Sequence, residues 1–73
     1  MTPRLPIVTG AEAIKALGRA GYEQVSRRGS HVKLRNPAGR TVIVPMHHEL
    51  AQGTLRSILR QAGITNEEFR ELL

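Results

Sequence analysis

No cysteine occurs anywhere in this 73-residue chain, and that absence narrows what it can become more than any motif does. A disulfide framework and every thiolate metal site are excluded. The fold must therefore come from a hydrophobic core, and so short a chain cannot surround two of them. The expectation is a single domain over residues 1–73, with residues 1–8, which carry Pro3 and Pro6, as an extended N-terminal arm. Nothing approaches the roughly 18 consecutive apolar residues of a membrane span. No charged segment leads into an apolar stretch and a cleavage site. A basic mini-domain of the cytoplasm is expected.

Lysine and arginine total 11 against six acids, all glutamate, for a formal net charge of +5. Such a surplus points to a polyanionic partner, most simply nucleic acid. The alternative is a set of solvated arginines with no ligand. With one tyrosine, one phenylalanine and no tryptophan, stacking of bases on surface aromatics has little support.

Local signals divide the chain into short elements. Thr9 and Glu12 have capping-box spacing, opening a helix over residues 11–20 with Ala13, Ile14, Leu17 and Ala20 as its apolar stripe and Gly21 as its left-handed stop. Residues 22–28 form a strand, and Gly29-Ser30 is a two-residue hairpin turn. That turn sets Arg28 opposite His31, Ser26 opposite Lys33 and Gln24 opposite Arg35. Facing residues project to the same side, so one face holds these six polar residues and the other holds Val25, Val32 and Leu34. Arg27 alone spoils the separation, landing beside Val32. Asn36-Pro37-Ala38-Gly39 matches a type I turn. Residues 40–44 form a third strand with two registers open to it. A four-residue loop puts Val42 on the basic face, whereas a loop one residue longer puts Val42 and Val44 on the core face. The longer loop is preferred because it buries more apolar surface.

A second helix starts near Gly53-Thr54, with Leu55, Ile58, Leu59 and Ala62 on one stripe, Arg56 and Arg60 facing elsewhere, and Gly63 ending it. Thr65 and Glu68 repeat the capping-box spacing before a final short helix with Phe69, Leu72 and Leu73. The order α-β-β-β-α-α makes a small α+β fold with helices on one face of the sheet.

Alternation along the second strand sets His31, Lys33 and Arg35 on one side, about 6.5–7 Å apart, with Arg28 joining them across the turn. Such a face has three readings: an RNA-cutting site, a phosphate-binding surface, or a solvated sheet face. For cleavage, an imidazole takes the proton of a ribose 2′-hydroxyl while nearby cations stabilise the charge growing on the phosphate. His47 and His48 are adjacent in the following loop. As metal ligands they have only Glu49 near them, so no metal is expected; His47 instead could reach the basic face as a second acid or phosphate donor. The N–H groups at Gly53-Thr54 are a further phosphate candidate, with an ordinary helix start as the plainer reading.

Four segments together resemble the HicA-type toxins: Leu17-Gly18-Arg19-Ala20-Gly21-Tyr22, Gly29-Ser30-His31, Val44-Pro45-Met46-His47, and the run from Gly53 to Gly63. They occur in that family's order and span roughly Gly10 to Leu73. The resemblance implies a double-stranded-RNA-binding-domain-like fold with three antiparallel strands. It implies a metal-independent mRNA interferase that needs no cofactor, arrests translation and is neutralised by a HicB-type antitoxin. It carries the family's catalytic histidine to His31. The face argument adds Arg28 and Lys33 on the phosphate, with Arg35, Arg56 and Arg60 steering RNA and His47 as an accessory group. The competing expectations are a non-catalytic RNA-binding module using the same face and a domain that binds an acidic protein.

Overall fold

The computed structural model describes residues 4–73. Helix α1 (Gly10–Arg19) is followed by strands β1 (Glu23–Arg28), β2 (His31–Arg35) and β3 (Thr41–Pro45), then helices α2 (Gln52–Ala62) and α3 (Asn66–Leu72). The strands form one antiparallel sheet in the order β1-β2-β3. The expected α-β-β-β-α-α order is the observed one, and no helix among the described residues is long and apolar enough to cross a membrane.

Both capping boxes form. The Thr9 N–H donates to Glu12 Oε1 at 2.8 Å and the Glu12 N–H returns to Thr9 Oγ1 at 3.0 Å. Thr65 and Glu68 repeat the exchange at 2.9 and 3.1 Å. These bonds hold the Glu68 carboxyl below its ordinary value of 4.5, chiefly through the Thr65 backbone N–H and then the Thr65 side chain. Helix α1 starts at Gly10, one residue earlier than its stripe suggests, and buries Ala13, Ala16 and Leu17, whereas Ala20 is exposed. Helix α2 starts before Gly53, at Gln52, with Ala51 as its N-cap and no side-chain capping bond.

Val32 and Leu34 of β2 and Val42 and Val44 of β3 turn to one side of the sheet and meet Leu17, Leu55, Ile58, Leu59 and Phe69 in the core. Arg35 pairs with Thr41, so five residues separate β2 and β3, as the burial of Val42 and Val44 requires. Inside that loop the Gly39 N–H donates to the Asn36 carbonyl at 2.9 Å. Tyr22 is buried, with its hydroxyl donating to the Ala62 carbonyl at 2.7 Å, closing the end of α2.

Strand β1 departs from simple alternation. Arg28 pairs with His31, Arg27 with Val32 and Ser26 with Lys33, but Gln24 then pairs with Leu34 and Glu23 with Arg35. Val25 is the extra residue of a β-bulge, and a bulge reverses the side sequence upstream of it. Two expectations fall with it: Gln24 does not face Arg35, and Val25 is 47% exposed rather than in the core. The rest of β1 is exposed as well, because the helices pack against β3, at the far edge of the sheet.

Of the expected N-terminal arm, residues 1–3 lie outside the described residues. Residues 4–8 form no helix or strand, yet they are docked. Leu5 and Val8 are buried in the core. The Leu5 N–H donates to Gln52 Oε1 at 3.0 Å, and Gln52 Nε2 donates to the Leu5 carbonyl at 2.9 Å.

Candidate functional site

The sheet face turned away from the helices carries the candidate site. Gly29 adopts φ +60° while Ser30 does not have a positive φ, the sign pattern of a type II′ hairpin turn. That turn brings Arg28 directly opposite His31. On its other side His31 faces Pro45, Lys33 lies between Ser26 and Ile43, and Arg35 lies between Glu23 and Thr41. Three rows of facing side chains result, with Cβ atoms about 4.5–5.5 Å apart within a row. Arg28, His31 and Arg35 are exposed and Lys33 is half-buried. A shallow depression is lined by Ser26, Arg28, His31, Lys33 and Ile43, among others.

The loop of His47 closes one end of this face. The Met46 N–H donates to the Ser30 carbonyl at 2.6 Å, extending the pairing past His31, and the Gly10 N–H donates to the His47 carbonyl at 2.8 Å. The hairpin turn, the His47 loop and the start of α1 are thus tied together, and His47 lies at the same end of the sheet as His31. His47 and His48 are exposed, and no group of three or more His, Asp or Glu side chains that could hold a metal ion occurs among the described residues.

The basic residues divide into two kinds. Arg19 donates to the Leu72 carbonyl at 2.5 Å, Arg27 to that of Gly29 at 2.8 Å, Arg40 to that of Gln61 at 3.2 Å and Arg70 to that of Arg4 at 2.7 Å. These four guanidiniums are used within the fold. Arg28, Lys33 and Arg35 are not among them. Arg56 and Arg60 are exposed on α2, in the layer on the other side of the sheet, so the fold does not gather them with His31.

Sequence reasoning missed Ile43 as a member of the open face. The signal was present: once Val42 and Val44 point inward, Ile43 must point outward. An unbroken Val-Ile-Val run hides that alternation.

Residues 10–64 match the family model described as the HicA toxin of bacterial toxin-antitoxin. The chain belongs to the HicA toxin family. The match runs from the first residue of α1 through Ile64, so the docked arm and α3 lie outside it. A solved chain from "Toxin-Antitoxin complex from Streptococcus pneumoniae" is similar to this HicA-family protein, with 33% identity and a TM-score of 0.69. The alignment covers 78% of the present chain and 98% of that one. No curated protein matches. The HicA resemblance of the four segments is thus borne out, and with it a toxin role in a toxin–antitoxin system.

Proposed function

We propose that this HicA-family toxin is an endoribonuclease that blocks translation by cutting mRNA, with His31 as its general acid/base. The observation that carries the reading is the pairing of Arg28 with His31 on an open sheet face, with Lys33 one row away. In this mechanism the His31 imidazole removes the proton of a ribose 2′-hydroxyl. The 2′-oxygen attacks phosphorus, the bond to the 5′-oxygen breaks, and a 2′,3′-cyclic phosphate remains. The departing 5′-oxygen takes a proton from the His47 imidazolium or from water. Arg28 and Lys33 stabilise the charge that builds on the phosphoryl oxygens. Arg35 extends the cationic track along β2, and Arg56 and Arg60 contribute long-range attraction from the helical layer.

No step requires a metal or a cofactor. The neutralising partner in this reading is a HicB-type antitoxin, in keeping with the toxin–antitoxin complex that contains the similar Streptococcus pneumoniae chain. Residues 1–73 act as one HicA-like domain in the cytoplasm, where mRNA is met.

Incubation of the purified protein with RNA in excess EDTA tests the proposal. Cleavage by the wild type is expected to fall about 10²- to 10⁴-fold in His31→Ala. Equal cleavage by the variant would remove His31 from the chemistry. Salt-sensitive RNA binding without any cleavage would reassign the face to a non-catalytic RNA-binding module.

A further inference from the structure

Ile43 stands on the solvent side of β3, 41% exposed, while Val42 and Val44 on either side of it fill the core. The solvated face of an antiparallel sheet ordinarily carries polar residues, as Thr41 does one alternation earlier in the same strand. Only four large hydrophobic side chains are exposed among the described residues: Ile7, Val25, Ile43 and Leu73. Of these, Ile43 is the one that pairs with Lys33 and shares a depression with Arg28 and His31.

Its distance from His31 follows from the register. His31 faces Pro45, so Ile43 is the diagonal neighbour of His31, about 7–8 Å away. That span is comparable to the reach from a phosphate to the base of its own nucleotide. A phosphate held by Arg28, His31 and Lys33 therefore leaves an adjoining base over Ile43. Contacts to phosphates come from charged and polar groups and use no carbon surface, whereas aromatic or apolar side chains pack against the face of a base taken out of its stack.

We propose that Ile43 is a substrate-contacting residue, a small apolar platform for the base adjoining the phosphate at His31. The site therefore takes RNA as a single strand with that base unstacked. The inference rests on the ribonuclease reading for the identity of the polymer and for the place of the scissile phosphate. Its test does not depend on cleavage.

The experiment uses His31→Ala protein, to prevent strand scission, and two probes of equal length: a single-stranded RNA and its abasic counterpart. Adding Ile43→Thr is expected to raise the Kd for RNA about fivefold to tenfold, with the abasic Kd unchanged. Adding Ile43→Phe, which enlarges the platform, should leave RNA binding equal or tighter. Equal losses on both probes, or an unchanged Kd for RNA, would overturn the proposal. So would unchanged RNA affinity with weakened binding of a partner protein, which would assign Ile43 to a protein contact. Thermal unfolding establishes that each variant is folded. If the threonine variant is not, looser RNA binding by the folded phenylalanine variant overturns the inference by itself. Wild-type cleavage in EDTA is measured alongside. A base-dependent Kd shift without cleavage would sink the ribonuclease reading and leave the Ile43 contact standing, and absence of RNA binding would overturn both.

Discussion

Gly10 and His47 meet through their backbones, with the Gly10 N–H donating to the His47 carbonyl at 2.8 Å. A Cβ at Gly10 would run into the Pro45 carbonyl oxygen and the Met46 Cα. Both obstacles are backbone atoms and cannot rotate away. Gly10→Ala is therefore expected to destabilise the protein by about 1–3 kcal/mol, the usual range for inserting a group into a filled space. Urea denaturation measures this. Because the same loop is bonded to Ser30, RNA cleavage should fall further than the folded fraction does.

The bulge at Val25 makes a second prediction, because alternation and structure disagree about that side chain. Val25→Ala should change stability by less than about 0.5 kcal/mol, as exposed substitutions do. Leu34→Ala, only 1% exposed in the wild type, should cost about 2–5 kcal/mol. Equal costs in denaturation would mean that β1 is packed differently.

The Glu68 carboxyl is held below its ordinary value by Thr65, which gives the protein a defined acid response. A group that binds its proton less tightly when folded stabilises the fold at pH values above its unfolded pKa. That contribution is lost as pH falls from about 4.5 through the lowered folded value. Glu68→Gln keeps an oxygen to accept the Thr65 N–H but has no proton to bind there. Its thermal midpoint should therefore fall less than the wild type's on acidification, read by scans at stepped pH.

Two basic residues should behave in opposite ways. Lys33 lies on the open face, so Lys33→Ala should weaken RNA binding and reduce the salt slope by about 0.7, the value for one phosphate of a single strand. Arg40 caps the Gln61 carbonyl near the end of α2. Arg40→Ala should lower stability by about 0.3–1 kcal/mol and leave the salt slope nearly unchanged. Titrations at several salt concentrations, paired with denaturation, separate the two roles.

Much of the candidate site was legible because it is local. Arg28 and His31 are joined by a Gly-Ser turn, and a two-residue turn dictates which residues face each other. Lys33 follows by strand alternation. Val25 and Gln24 were misplaced for the same reason: alternation has no memory of an inserted residue. The roles of the arginines were also hidden. In sequence, Arg19 and Arg70 look like Arg28, yet each of the first two caps a carbonyl 53 or 66 residues away.

The division therefore follows the range of the interaction. By itself the sequence determined the element order, both capping boxes, the hairpin turn with its basic face, and the segments that mark the HicA family. Each depends on neighbours within a few residues or on a short repeat of apolar side chains. Only the tertiary structure decided the register of β3, that Leu5 bonds Gln52 of α2, that Gly10 closes on the His47 loop, that Ile43 stands beside the cations, and which arginines remain on the open face. Those outcomes are set by which backbone carbonyls and apolar surfaces the packed elements bring together, and chain order alone does not contain that distance information.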